Sequence, residues 1–127
     1  MGDSVKFHSI PEAIKDIKDG KMVIVVDDED RENEGDFLMA AEMVTTEAIN
    51  FMVTHGRGLV CAPVTKTYAE KLKLTHMVTD GADPDEANFT ISIDHKRLTT
   101  TGISAADRAN TIREMTNDDV KPLDFRR

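Results

Sequence analysis

Apolar positions recur along the chain with two periods, every third or fourth residue in some segments and every second residue or continuously in others, which predicts a mixture of helices and strands. The first helix is expected to begin at Ser9, because this capping residue is followed by Glu12 and then by Ile14 and Ile17, and to end at Gly20. Three further helical segments are predicted: one from Thr45 to His55-Gly56, one or two turns over residues 68–72, and one with a capping-box-like start over Ser104 to Asp107.

Strands are predicted where β-branched or alternating apolar residues occur without helical spacing. The run from Val23 to Val26 is expected to be a buried strand, and residues 37–41, 59–62 and 89–94 are expected to be further strands, the last half-buried. Residues 79–88 are predicted to be a polar loop, and no further apolar element is expected after Asn117-Asp118. Because helices and strands intermix without a linker or repeat, residues 1–127 are predicted to form a single α+β (mixed α/β) domain, with a mixed sheet flanked by helices.

The composition of the chain disfavours several classes of protein. A chain of 127 residues that is 39% hydrophobic can bury a modest core, and its net charge of −8 disfavours nucleic acid or an anionic membrane as a partner. The single cysteine, Cys61, cannot form an internal disulfide, which favours a reducing compartment. No stretch has the length of a membrane span or the pattern of a signal peptide. The protein is therefore expected to be cytoplasmic.

The acidic run from Asp27 to Asp36 follows the first predicted strand directly. It holds seven carboxylates and one arginine, a formal charge of −6. In an extended segment its alternating carboxylates would point to one side, an arrangement that suits a hard cation such as Mg²⁺; they are Asp30, Glu32, Glu34 and Asp36. A solvated acidic loop is the simpler interpretation of such a run. An EF-hand is disfavoured, because its twelfth position would be Ala41 instead of a bidentate Glu.

The acidic run is followed, in order, by three further segments: His55-Gly56-Arg57-Gly58-Leu59-Val60-Cys61, Phe89-Thr90-Ile91-Ser92-Ile93-Asp94, and Thr100-Thr101-Gly102-Ile103-Ser104-Ala105-Ala106-Asp107-Arg108. Together these four segments resemble the 3,4-dihydroxy-2-butanone 4-phosphate synthase family. The resemblance implies an enzyme that makes a four-carbon precursor of riboflavin from ribulose 5-phosphate and releases formate. It also implies a homodimer with active sites at the subunit interface, and Mg²⁺ as the cofactor, with Mn²⁺ as the alternative ion.

The resemblance also implies roles for individual residues. Glu32 corresponds to a ligand of the metal and a substrate contact, and Glu34 to the acid–base residue. Arg31 and Asp36 correspond to substrate contacts, Thr101 to a phosphate contact, and Cys61 to a neighbour of the active site. A Gly-containing turn before a helix would present N–H groups to an anion. The simpler alternatives are that Glu34 is only an electrostatic neighbour of the ion, that Ser104 and Asp107 only cap the helix, and that Cys61 is a buried strand cysteine.

The chain departs from the family pattern in two places. The family domain continues past the position of Arg127 into Pro-Gly-His and Gly-His-Thr-Glu segments, which supply a second metal ligand and further catalytic residues. The chain is therefore expected to be the N-terminal part of such a domain and to be inactive by itself, and a GTP cyclohydrolase II domain is commonly fused downstream. The loop over 81–88 also lacks the usual Asn-Thr and Gly-Thr-Ala groups. The alternative interpretation is a degenerate paralogue that serves as a non-catalytic acidic metal-binding or dimerisation module.

Overall fold

The computed structural model describes residues 4–79 and 88–127. Its helices and strands are, in order, α1 (Ile10–Lys18), β1 (Val23–Val26), β2 (Gly35–Leu38), α2 (Thr46–Phe51), α3 (Lys66–Lys71), β3 (Asp94–His95), α4 (Ala105–Glu114) and β4 (Phe125–Arg126). Single 3₁₀ turns cover Ala41–Met43 and Pro122–Asp124, and a wider π-type turn over Met52–Gly56 prolongs α2. This intermixing of helices and strands confirms the α+β class.

Three of the four predicted helix starts are confirmed, because each depends on a local hydrogen bond, whereas α3 begins at Lys66, two residues before the predicted segment over 68–72. In α1 the Glu12 N–H donates to Ser9 Oγ, while Glu12 Oε2 accepts the Ser9 N–H at 2.7 Å, which is a reciprocal capping box. Thr45 Oγ1 accepts the N–H three residues later in α2 at 3.1 Å, and Ser104 Oγ accepts the Asp107 N–H in α4 at 3.0 Å. Each cap satisfies a backbone N–H that has no partner within its helix.

The described strands form two antiparallel pairs instead of one mixed sheet. β1 pairs with β2 from Val23 opposite Leu38 to Val26 opposite Gly35, and residues 27–34 of the acidic run connect the two strands. β3 pairs with β4, with His95 opposite Phe125. The acidic run is thus carried on a hairpin near the start of the chain.

Two predicted strands are wrong, and one element was missed. Residues 59–62 make no strand pair, and of residues 89–94 only Thr90, through a bridge to His76, and Asp94, in β3, are paired. A strand needs a partner as well as a suitable pattern, and neither run has a full-length partner in the described part of the chain. The segment after residue 118, expected to lack an apolar element, instead supplies buried Val120 and Phe125. Most of the loop predicted over residues 79–88 lies outside the described residues.

The core consists of two small clusters. One joins α2 and α4 through Val44, Ile49 and Ala109, and the other lies beside α3 and contains Leu72, Val120 and Phe125. The β1 strand was expected to be buried, but Ile24 is 66% exposed, because no described residue covers that side of the hairpin. None of the helices in residues 4–79 and 88–127 has the length and apolar character needed to cross a bilayer.

Candidate functional site

The acidic loop is a turn and not the extended segment that strand alternation would require. Residues 29–32 form a turn in which the Arg31 N–H donates to the Asp28 carbonyl at 3.0 Å. Asn33 follows with a φ of +52°, in the left-handed region that Asn tolerates better than most residues. The expected one-sided row of carboxylates is therefore wrong, because the chain reverses direction between Asp30 and Glu34.

Asp27 organises this loop. Its Oδ2 accepts the Glu32 N–H and its Oδ1 the Glu34 N–H, both at 3.0 Å, and Arg31 Nη1 donates to Oδ2 at 3.2 Å. The Glu34 and Glu32 N–H groups, with a smaller effect from the Arg31 guanidinium, lower the pKa of Asp27 below its ordinary value. The sequence interpretation did not single out Asp27. Its position between a strand and a turn, where Asp commonly accepts backbone N–H groups, was the available signal.

Arg31 and Glu32 lie on the solvent side of the loop. The Arg31 guanidinium bridges Asp27 at 3.2 Å and Glu32 at 3.7 Å, with side chains 68% exposed for Arg31 and 61% for Glu32. The pair of Arg31 with Glu32 is exposed on both sides and contributes at most about 1 kcal/mol, so a charged ligand can replace it at little cost, whereas the Asp27 side chain is only 19% exposed. The described residues contain no group of three side chains able to hold a metal ion. An exposed carboxylate such as that of Glu32 is a type of ligand that Mg²⁺ uses, since this ion is commonly bound through one or two carboxylates and keeps several waters.

A cleft of about 560 Å³ opens between the start of β2, the π-type turn and the segment over 58–63. Asp36 and Cys61 both line it, together with His55 and mainly apolar residues. The Cys61 side chain is exposed and belongs to no strand, so the alternative of a buried strand cysteine is wrong. At the edge of this cleft Gly56 lies against the Phe37 ring, which a Cβ at position 56 would approach to 3.2 Å. The structure therefore brings two of the predicted site residues together.

The turn before α4 carries the predicted phosphate contact. Asp107 Oδ2 accepts the Thr100 N–H at 3.0 Å, the Thr100 hydroxyl at 3.0 Å and the Gly102 N–H at 2.9 Å. The Gly102 and Thr100 N–H groups lower the pKa of Asp107 below its ordinary value. These two N–H groups were expected to face an anion, but they are already used within the protein. Asp107 therefore does more than cap the helix, while Thr101 remains an exposed residue of the turn.

The same turn is fixed from two other sides. Gly102 adopts a φ of +87°, and a Cβ at this position would lie 2.3 Å from the Asp94 carboxylate. Arg126 Nη2 donates to the Thr100 carbonyl at 2.8 Å, which ties the turn to β4. In the described residues, no hydrogen bond, ion pair or shared cavity links this turn to the acidic loop. Thr101 is thus placed apart from the cleft that holds Asp36.

His95 is a structural residue that the sequence pattern gave no reason to select. It is 7% exposed, and its Nδ1 accepts the backbone N–H groups of Arg97 and Leu98 at 3.3 and 3.2 Å. Its own backbone N–H donates to Thr111 Oγ1 at 3.0 Å, and its ring meets Phe125 edge-on at 5.7 Å. These contacts connect β3 to α4 and β4, and so support the turn that follows.

Known proteins match almost the whole chain. The family model described as 3,4-dihydroxy-2-butanone 4-phosphate synthase matches residues 11–127. The riboflavin biosynthesis protein RibBA of Bacillus cereus (strain AH187) is 60% identical over 121 residues, which are 95% of this chain and 30% of that protein. RibBA of Bacillus mycoides (strain KBAB4) is 59% identical over the same lengths. The chain thus spans under a third of these relatives.

Solved structures match equally well. A 3,4-dihydroxy-2-butanone 4-phosphate synthase in complex with two magnesium ions has a TM-score of 0.90 and 48% identity, covering 95% of this chain and 56% of its own. RibBX, a two-domain 3,4-dihydroxy-2-butanone 4-phosphate synthase from A. baumannii, has a TM-score of 0.84 and 47% identity, covering 94% of this chain and 35% of its own. At these identities the similarity extends beyond the fold to the sequence.

Proposed function

This chain belongs to the 3,4-dihydroxy-2-butanone 4-phosphate synthase family, and we propose that residues 1–127 are the N-terminal part of such a synthase domain. The protein that contains them converts D-ribulose 5-phosphate to L-3,4-dihydroxy-2-butanone 4-phosphate and formate, a step of riboflavin biosynthesis. The observation that carries the proposal is the acidic hairpin, on which one loop fixed by Asp27 presents Arg31, Glu32 and Glu34 together.

The reaction requires groups that transfer protons and bind the substrate, and this hairpin carries such groups. A ketose phosphate must be enolised, dehydrated, rearranged and cleaved, and each of these steps moves a proton to or from carbon or oxygen. Glu34 is the acid–base residue, and the bond from its N–H to Asp27 limits where its carboxylate can lie. Arg31 and Asp36 bind the substrate, and Cys61 borders it in the cleft that it shares with Asp36.

Mg²⁺ is the proposed cofactor, with Mn²⁺ as the alternative, and when bound it supplies a Lewis acid for the substrate oxygens. Glu32 would hold it in this chain, at an exposed position where waters and substrate oxygens can complete the coordination. The magnesium ions in a relative of 48% identity support this choice. Because one carboxylate holds Mg²⁺ weakly, we propose that the 127-residue chain is inactive by itself.

Several properties of the complete protein follow from family membership. We propose a homodimer, a cytoplasmic location and a downstream GTP cyclohydrolase II domain. The last is supported by the length of the RibBA relatives, of which this chain covers 30%. Mass photometry of the complete protein, and a GTP turnover assay of it, test the dimer and the second domain separately.

The experiment that tests the proposed function measures formate release from ribulose 5-phosphate by the complete protein with Mg²⁺. Glu34→Gln should lower turnover by at least about a hundredfold, as expected for a lost acid–base residue. Glu29→Gln is the matched control, because it removes the same charge from the same exposed turn and should retain turnover. Near-normal turnover by the Glu34 variant would exclude its catalytic role. A wild-type protein that is folded yet releases no formate would favour a non-catalytic acidic module.

A further inference from the structure

Three consecutive threonines precede Gly102, and the structure gives each a different hydrogen-bonding environment. The Thr99 hydroxyl donates to the His95 carbonyl and accepts a bond from Arg126. The Thr100 hydroxyl donates to Asp107. Thr101 is exposed, and its hydroxyl makes no hydrogen bond to any residue in the described part of the chain. The network therefore uses two hydroxyls internally, and the exposed Thr101 hydroxyl can bond to solvent or to a ligand.

Asp107 connects this turn to the rigid part of the fold. It is 7% exposed and lies in the first turn of α4, where its own N–H is capped by Ser104. Two residues later Ala109 is fully buried in the cluster that α4 shares with α2. The position of the Asp107 carboxylate is therefore set by the core, because the helix that carries it cannot shift without disturbing that packing.

The Asp107 carboxylate adds to the Arg126 and Asp94 contacts that also hold this turn. Gly102 has a backbone that can adopt many conformations, and its φ of +87° is one of them. The three bonds to Asp107 Oδ2 fix the residues on either side of Thr101, namely Thr100 and Gly102. Bonds to an ionised acceptor are roughly twice as strong as neutral ones, so this carboxylate contributes strongly to the conformation of the turn.

We propose that Asp107 is a positioning residue, which fixes the turn from Thr100 to Gly102 so that the Thr101 hydroxyl faces the phosphate group of the substrate. The proposal rests on the proposed function and on the phosphate contact that the resemblance implies for Thr101. Asp107 acts through the turn and does not touch the substrate itself, since it is only 7% exposed and its Oδ2 accepts the bonds of the turn.

The test uses Asp107→Asn in the complete protein. Asn keeps the shape of the side chain but weakens three bonds that converge on one oxygen, so the KM for ribulose 5-phosphate should rise about tenfold. The kcat should stay within about twofold, because the acid–base residue is untouched. Amide hydrogen exchange at Thr100 and Gly102 should become faster by about tenfold. Unchanged exchange at both amides would overturn the proposal, whatever the kinetics.

A stability control separates positioning from a merely structural role. Val120→Ala loosens the second core cluster and does not line the cleft, so it should lower the melting temperature while leaving the KM unchanged. A KM that rises equally in the Val120 and Asp107 variants would overturn the proposal. Should Asp107→Asn fail to fold, Thr100→Val removes one of the three bonds, and a smaller KM rise at unchanged melting temperature supports the same conclusion. No KM rise in that variant would overturn it.

Thr101→Val distinguishes this proposal from the proposed function. An unchanged KM in this variant means that Thr101 does not contact the phosphate, and the positioning role then falls with it. A raised KM in Thr101→Val with a normal KM in Asp107→Asn overturns the positioning role alone. In the double variant the KM should be no higher than in Thr101→Val, since the two residues act through one contact. If the increase in KM in the double variant equals the product of the increases in the two single variants, that coupling is contradicted.

Discussion

Replacing Gly102 with alanine is expected to destabilise the protein through two separate effects. The φ of +87° places the new Cβ in the left-handed region, which costs roughly 1–2 kcal/mol for an L-residue. The Cβ would also lie 2.3 Å from the Asp94 carboxylate, a distance that real Cβ atoms do not adopt, so Asp94 or the turn must move. The free energy of unfolding should therefore fall by at least about 1–2 kcal/mol.

Urea unfolding followed by circular dichroism measures this change. Gly58→Ala is the matched control, because no atom lies within 4 Å of its Cβ position and its φ is not positive. It should change the free energy of unfolding by no more than about 0.5 kcal/mol. Adding Asp94→Ala to Gly102→Ala should recover the steric part of the loss, leaving the cost of the backbone conformation.

Equal free energies of unfolding for the Gly102 and Gly58 variants would refute the reasoning. The reasoning would also be refuted if the losses of unfolding free energy caused by Asp94→Ala and Gly102→Ala simply added in the double variant. Additivity would mean that the Asp94 carboxylate does not lie against Gly102 in solution. Because Gly102 also donates its N–H to Asp107, the alanine variant should share the raised KM of Asp107→Asn. That link connects the stability measurement to the site.

Three further predictions concern the core, acid stability and the acidic loop. Ile49→Ala, at a fully buried position, should lower the free energy of unfolding by about 2–5 kcal/mol in urea titrations. Because hydrogen bonds hold the pKa of Asp107 below its ordinary value, its stabilisation is present above about pH 4 and is lost as the pH falls through the lowered pKa. The difference in unfolding free energy between wild type and Asp107→Asn should shrink in acid, and a difference independent of pH would contradict this. Asp27→Asn in the complete protein should raise the Mg²⁺ concentration for half-maximal activity by about tenfold. Asp28→Asn is the control, because the Asp28 carboxylate makes no hydrogen bond in the described residues, and it should leave this Mg²⁺ concentration unchanged. Equal effects of the two substitutions would exclude an organising role for Asp27.

The features that the sequence predicted correctly are local ones. The capping residues Ser9, Thr45 and Ser104 bond to N–H groups three residues away, so their pattern is visible in any short window. The pairing of His95 with Phe125 joins residues 30 positions apart, and no periodicity near either one indicates the other. For the same reason residues 59–62 look like a strand and yet pair with nothing in the described chain.

The candidate site shows the same difference between local features, which the sequence indicates, and contacts between distant residues, which it does not. The resemblance selected Glu32 and Glu34, but it did not indicate that one carboxylate, Asp27, bonds to the backbone of both. Likewise Asp107 matched a helix cap, while its bonds to Thr100 and Gly102 depend on how the preceding turn folds back. The sequence therefore selects candidate residues for the site, whereas the contacts that orient those residues are visible only in the three-dimensional structure.

The hairpin that carries the acidic loop also determines how the isolated chain should behave at high concentration. β1 pairs only with β2 in the described residues, so each of the two strands has one open edge of backbone N–H and C=O groups. Beside those edges Ile24 is 66% and Val25 48% exposed. An apolar strand with an open edge is a template for adding another strand. The loop repels other copies through its charge of −6, so raising the salt concentration should promote stacking of hairpins by screening that repulsion.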